Sequence, residues 1–173
     1  MRLLWTWDHS TNWVLDASGQ VDYGCFNRYR KPPDTFVEDY GRLAEHAAAI
    51  GANGIIVWGL LRDAHGGVDG AHAVIDRAAA HGVRILAAIG TSSYGGFYYD
   101  GNHPFNVDTR LAANPEVAAR DRLGNPLPRL CPSHPDNLAW LREGTRWLLG
   151  TLDLGGLNIE NGDFVLCSCA RCG

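Results

Sequence analysis

Ile50-Gly51-Ala52-Asn53-Gly54-Ile55-Ile56-Val57-Trp58 is the stretch whose reading decides the fold. Ile55-Ile56-Val57-Trp58 is apolar without alternation, the pattern of a short strand covered on both faces. Just before it, Phe36, Tyr40, Leu43, Ala47 and Ile50 recur at helical spacing, so residues 34 to 50 read as a helix that Asp34 caps and Gly51 stops. A helix therefore feeds a buried strand through a turn of two or three residues. Working outward, the same unit recurs. Residues 69 to 81 form a second helix closed at His81-Gly82, and Val83 to Ile89 a third strand. Residues 2 to 7 read as a buried first strand. Asp136 to Thr151 is a helix with Leu138, Leu141, Trp147 and Leu148 on its apolar side, and the fourth strand spans 156 to 160. The order is βαβαβαβ.

Such alternation implies a parallel sheet covered by helices, because right-handed crossovers join parallel strands. Turns from helix to strand are tight, whereas the segments leaving the strands (8 to 33, 60 to 68 and 91 to 135) are long. In (β/α)8 barrels one face carries stabilising turns and the other carries function. The expected fold class is thus α/β: a parallel (β/α) half-barrel, the first four βα units of a TIM barrel, with long strand-to-helix loops. A segment as long as 91 to 135 is itself a sign of function, and a short helix is expected at 109 to 120. The Gly-x-Gly-x-x-Gly turn of dinucleotide folds and the Gly-x-x-x-x-Gly-Lys-Ser/Thr phosphate loop do not occur, which argues against nucleotide cofactors.

A complete barrel takes about 250 residues and eight strands. Residues 1–173 are accordingly expected to be the N-terminal part of a single (β/α)8 domain, cut after strand four, and its partner is the missing C-terminal half-barrel. The other reading is a half-barrel that pairs with a second copy, since open strand edges invite association.

A hydrophobic content of 46% with 20% charged residues is that of an ordinary globular chain. The formal charge of -4, without a basic stripe, argues against nucleic acid as a partner. No apolar run nears the roughly 20 residues that span a bilayer, so no membrane partner is expected. The start, Met1 to Asp8, lacks the features of a signal peptide, and the expected location is the cytoplasm.

In the fourth strand Asn158 and Glu160 point to one side, Leu157 and Ile159 to the other. Inward polar groups at the C-terminal ends of strands are where barrel enzymes place catalysis, which makes Glu160 the candidate general acid/base. The competing reading is a buried glutamate satisfying backbone or arginine donors. Asp163, in a Gly-Asp turn, is a rival carboxylate better suited to shaping the loop. Strand one ends in Trp7-Asp8-His9, and strand two in Trp58 followed by Arg62-Asp63-Ala64-His65. Each offers charged groups beside an aromatic platform. The loop after strand three adds Tyr94, Tyr98, Tyr99 and His103 among short polar residues. Sugars present CH faces that stack on rings and hydroxyls that need fixed partners, so Trp7, Asp8, Trp58, Arg62, Asp63, Tyr94, Tyr98, Tyr99, His103 and Asn158 are the candidate substrate-binding residues. Filling of the barrel mouth and capping of loops are the plainer uses of the same side chains.

Cys167, Cys169 and Cys172 form Cys-x-Cys-x-x-Cys, a candidate structural zinc site that lacks a fourth ligand. Cys131, His134 and Cys25 are the candidates for it, and a residue downstream of Gly173 could equally complete the set. Reduced thiols and a disulfide are the alternatives. Nucleophilic or redox catalysis by these thiols is disfavoured, because no histidine partner and no helix start are legible.

Leu4-Trp5-Thr6-Trp7-Asp8, Asn53-Gly54-Ile55-Ile56-Val57-Trp58-Gly59, Asn102-His103-Pro104-Phe105-Asn106, Leu130-Cys131-Pro132-Ser133-His134-Pro135 and Asn158-Ile159-Glu160-Asn161-Gly162-Asp163-Phe164 together resemble the N-terminal part of a TIM-barrel glycoside-hydrolase-like family, in the style of α-glucuronidases and bacterial polysaccharide-degrading barrels. The resemblance implies hydrolysis of an oligosaccharide or glycoside, with the acid/base at the end of strand four, which maps onto Glu160, and no cofactor required for catalysis. Many retaining barrels have Asn and Glu adjacent; here Ile159 separates Asn158 from Glu160. Two carboxyl groups are needed for the reaction, and this chain supplies one. The alternative is a non-catalytic carbohydrate-binding or structural half-barrel that self-associates. A metal-dependent hydrolase built on Asp8, His9 and the Cys run is disfavoured, since no His-x-His follows strand one.

Overall fold

The structure, a computed structural model, describes residues 1–8, 32–160 and 166–173. His9, Cys25 and Asp163 lie outside the described residues. Two compact units divide the chain: Met1–Ala88 with Leu152–Asn158, and Ile89–Thr151 with Ile159–Gly173.

The elements in chain order are β1 (Leu3–Trp7), α1 (Pro33–Ala49), β2 (Gly54–Trp58), a 3-10 turn (Asp63–His65), α2 (Gly67–Ala79), β3 (Arg84–Gly90), α3 (Val107–Ala113), a 3-10 turn (Pro115–Val117), β4 (Ala118–Arg120), β5 (Pro126–Leu130), α4 (Pro135–Thr151) and β6 (Gly156–Glu160). The main sheet has the order β1-β2-β3-β6. Its first two pairings are parallel and in register, Leu3 opposite Gly54 and Gly54 opposite Arg84. The chain thus has the parallel (β/α) half-barrel fold, with four strands in sequence order and helices between them.

In the first unit every residue of β2 is buried, as its unbroken apolar run requires of a central strand. Helix α1 starts a residue before the expected cap: Pro33, whose fixed φ suits the first helical position, follows Pro32, and Asp34 sits in the first turn without capping. Phe36, Tyr40, Ala44 and Ala47 form its buried face, whereas Ile50 falls beyond the helix and is exposed. The Tyr40 hydroxyl donates to the Trp7 carbonyl at 2.9 Å and meets Thr6 Oγ1 at 3.1 Å, which ties α1 to β1. Strand β1 departs from the expected buried strand. It lies at the edge of the sheet, and Trp5 is 50% exposed.

In the second unit the segment after β3 is more structured than its sequence suggests. Asn106 caps α3, its Oδ1 accepting from the Thr109 N–H at 3.0 Å and its amide donating to the Tyr98 carbonyl at 2.9 Å. The helix expected at 109 to 120 ends by Ala113 because Asn114 precedes a proline. The chain then turns into β4, which pairs antiparallel with β5. Pro126 and Pro128 disguise that hairpin in the sequence, and a two-stranded sheet tolerates them because it has only edges. Asp121 shapes its turn, accepting from the Leu123 and Asn125 N–H groups at 2.8 Å each. The Asn125 side chain at the same carboxylate holds Asp121 below the ordinary value of 3.8.

Candidate functional site

In the first unit, the C-terminal ends of β1 and β2 bring four of the candidate residues together. Trp7 stands opposite Trp58 in the register and stacks on it, with ring centroids 5.4 Å apart. Trp58 is fully buried and Trp7 half-buried. The Asp8 N–H extends the ladder, donating to the Trp58 carbonyl at 2.7 Å. Its carboxylate meets the Arg62 guanidinium at 2.8 Å, with the two side chains 0% and 3% exposed. Gly59 makes room for this pair: it adopts φ +78, and a Cβ there would stand 2.8 Å from the Asp8 carboxyl carbon. Asp8 and Arg62 are therefore engaged with one another beneath the surface, and Trp7 is the reachable member of the group. His65 is buried and stacked on Phe36 at 3.9 Å. Asp63 opens the 3-10 turn and is exposed, while Asn158 is half-buried in β6.

The second unit holds Glu160 and the aromatic loop. Glu160 is the last residue of β6 and half-buried. Tyr94 has a positive φ of 52, and Gly95 and Gly96 follow with φ 73 and 78. Two glycines adopt such backbone readily; a tyrosine does so at a cost of order 1–3 kcal/mol that the surrounding loop must offset. Tyr94 and Tyr99 are half-buried, whereas Tyr98 is buried. Tyr98 stacks on His103 at 4.4 Å, and His103 lies 4.5 Å from the Trp147 ring. The Phe105 N–H donates to His103 Nδ1 at 3.1 Å, which fixes the imidazole between the two rings. Trp147 reads in the sequence only as an apolar helix position. Its spacing of seven from Trp140, which puts both on one face of α4, is the signal that places it beside the His103-Pro104-Phe105 segment.

The cysteines converge in the same unit. Cys131, immediately after β5, has its Sγ 3.7 Å from that of Cys169, 3.7 Å from that of Cys172 and 3.8 Å from that of Cys167. All four sulfurs lie within 4.8 Å of one another. These are not disulfides, whose S–S distance is about 2.05 Å, and the four thiols are free. Cys131 and Cys167 are buried against Ala119, with Leu127 packed beside them. The Arg120 N–H donates to Cys167 Sγ at 3.3 Å, and Ser133 Oγ is 3.2 Å from Cys172 Sγ. Burial pushes the Cys131 thiol up to about 12, while the Arg171 backbone N–H brings the outlying Cys169 down to about 7. His134 is otherwise employed: its Nδ1 accepts from the Asp136 N–H at 3.3 Å at the start of α4. Of the candidates for the fourth position, Cys131 is the one that joins the Cys-x-Cys-x-x-Cys run among the described residues.

Solved structures of like fold include two named as α-amylases, one of them putative, and one named as a hydrolase of a cyclic maltosyl-maltose. A maltogenic α-amylase from Thermotoga neapolitana matches 95% of this chain at 12% identity with a TM-score of 0.63. A putative α-amylase from Salmonella typhimurium matches 99% at 14% identity and a TM-score of 0.56. The cyclic α-maltosyl-(1→6)-maltose hydrolase of Arthrobacter globiformis matches 92% at 12% identity and a TM-score of 0.54. The likeness is one of fold. This chain spans 40%, 27% and 44% of those three chains, less than half of each. No protein-family model matches the sequence, and no curated protein does. No helix among the described residues is long and apolar enough to cross a membrane.

Proposed function

We propose that this chain is the strand-one-to-four part of a glycoside hydrolase, with Glu160 as the general acid/base. The observation that carries the reading is the place of Glu160: the terminal residue of the fourth strand in a parallel sheet, half-buried, at the strand end where barrel enzymes keep their reacting groups. Solved structures of like fold are named as α-amylases and a hydrolase of a cyclic maltosyl-maltose, which makes α-linked glucose oligosaccharides the first substrates to try.

The chemistry divides between two carboxyl groups. Glu160 protonates the departing glycosidic oxygen while the second carboxyl group acts on the opposite side of the sugar, as nucleophile in a retaining reaction or as base for the attacking water in an inverting one. The second carboxylate belongs to the other half of the barrel, which is also what would cover Trp5, 50% exposed on the edge strand β1. Hydrolysis of this kind draws on no cofactor. Sugar contact falls to the reachable candidates, Trp7, Asp63 and Asn158 in the first unit and Tyr94, Tyr99 and His103 in the second. Trp58 and the Asp8–Arg62 pair hold Trp7 from beneath, and Tyr98 backs His103. A reducing cytoplasm is the proposed setting, in keeping with four free thiols.

Expression of the gene's whole product and assay on maltooligosaccharides tests the reading. Glu160→Gln should lower kcat by about 100-fold or more while sugar binding persists, the size expected for loss of a general acid. Wild-type turnover in that variant would remove Glu160 from the reaction. Binding without any hydrolysis by the whole product would favour a carbohydrate-binding role instead.

A further inference from the structure

We propose that Cys131, Cys167, Cys169 and Cys172 bind one zinc ion as four thiolates, and that this ion clamps the segment following β6 onto the β4–β5 hairpin. The inference is independent of the glycosidase reading. Four ligands around zinc at about 2.3 Å form a tetrahedron whose edges are about 3.8 Å. The three edges that meet at Cys131 measure 3.7, 3.7 and 3.8 Å, already the dimensions of that polyhedron. Thiols have no reason of their own to gather in fours at this spacing, because each is a weak donor and a weak acceptor. Sulfur ligands select soft or borderline metals over calcium or magnesium, and a full set of four protein ligands leaves no open position for a substrate, which makes the site structural.

The surroundings suit a thiolate centre. Four thiolates around a divalent ion carry a net charge of -2, and such charge needs nearby hydrogen-bond donors. The Arg120 N–H at Cys167, the Arg171 N–H at Cys169 and the Ser133 N–H at Cys131 supply them, with the Ser133 hydroxyl 3.2 Å from Cys172. The Cys172 N–H closes a tight turn on the Cys169 carbonyl at 2.8 Å, which points both sulfurs of Cys169-Ala170-Arg171-Cys172 toward one centre. The Ser168 N–H adds a bond of 2.8 Å to the Arg120 carbonyl, so the run is already laid along β4.

What the ion would do follows from the connectivity. Cys131 lies between 36 and 41 residues from its three partners, so the metal closes a long loop that hydrogen bonds alone hold weakly. One end of the clamp is the hairpin; the other begins seven residues after Glu160. Zinc binding should therefore anchor the chain on the C-terminal side of the carboxylate.

The chain, purified under reducing conditions without chelator, should contain one zinc per molecule by elemental analysis. Replacement by cobalt should give the sulfur-to-cobalt charge-transfer and intense visible bands of a tetrahedral thiolate site. Cys131→Ser should weaken zinc binding by more than about 100-fold, beyond what loss of an outer partner costs, while His134→Ala keeps full zinc. The cobalt spectrum of the unaltered chain serves if the serine variant fails to fold. A reduced chain that takes up neither zinc nor cobalt, iron as the resident metal, or full zinc affinity in Cys131→Ser overturns the proposal. Glu160→Gln should retain its zinc, so the failure of one proposal is distinguishable from the failure of the other.

Discussion

Gly144 and Gly150 lie in the same helix, α4, yet the same substitution should move stability in opposite directions at the two positions. A Cβ on Gly144 would stand 2.3 and 2.4 Å from two ring carbons of Phe97. That ring has little freedom to retreat, being buried and packed edge-on against Trp140 at 5.4 Å. A Cβ on Gly150 meets nothing within 4 Å. Replacing a helical glycine by alanine gains about 0.5–1 kcal/mol from the unfolded chain's lost freedom. Gly150→Ala should realise up to that amount, reduced by its nearness to the helix end. In Gly144→Ala the same gain opposes an overpacking cost of about 1–3 kcal/mol, leaving a net loss of up to about 2.5 kcal/mol. For a chain of this length each kcal/mol moves Tm by about 2–4 °C, so the two variants should lie on opposite sides of the parent. Urea unfolding followed by tryptophan fluorescence measures both. A double-mutant cycle adds the decisive number: Gly144→Ala should cost less in a Phe97→Leu background, where the obstructing ring is gone. If Gly144→Ala matches Gly150→Ala, or if its cost is the same with leucine at 97, the close approach is not what requires glycine there.

Other perturbations address the first unit and the hairpin. Arg62→Met leaves the Asp8 carboxylate buried without its guanidinium and should cost about 3–5 kcal/mol, while adding Asp8→Leu to Arg62→Met should recover most of it; equal costs for single and double variants in urea unfolding would refute the pairing. Asp121 has its carboxyl held below 3.8, so the contribution of its ionised form to the hairpin turn is present above that value and lost as pH falls through the lower folded value. The protection factor of the Asn125 amide, taken against the intrinsic exchange rate at each pH, should fall over that acid range in the parent and already be low at neutral pH in Asp121→Ala; unchanged protection in the variant would dismiss the turn's dependence on this side chain.

The main sheet was legible because its strands carry their own signature. Ile55-Ile56-Val57-Trp58 and the run from Ile85 to Ile89 are apolar on both faces, and only a strand buried on both faces needs that. Where burial is one-sided the same reasoning overshoots: residues 3 to 7 look as apolar as β2, but β1 is an edge strand and leaves Trp5 half exposed. The β4–β5 hairpin escaped notice because Pro126 and Pro128 read as loop, and because three residues of β4 are too few to show a period. For the candidate sugar-binding residues, composition does not distinguish a reachable ring or carboxylate from a buried one. Nothing in Trp7-Asp8 or Arg62-Asp63 tells that Asp8 and Arg62 turn onto each other while Asp63 faces solvent. The Cys-x-Cys-x-x-Cys run is plain in the sequence, whereas Cys131 stands there as one of several candidates, since it becomes a neighbour only through the hairpin that the sequence conceals.

Gly59 sets an order on how this protein can change. Its φ of +78 suits glycine and almost nothing else, and the space where a side chain would grow is filled by the Asp8 carboxylate. A variant at 59 alone meets both obstacles at once, so residue 8 has to shrink first. Asp8 in turn cannot shrink without giving up its ion pair with Arg62. The three positions are accordingly interlocked, and in a set of diverged relatives they should be found replaced together or kept together, with position 59 changing only where the 8–62 pair has already been replaced.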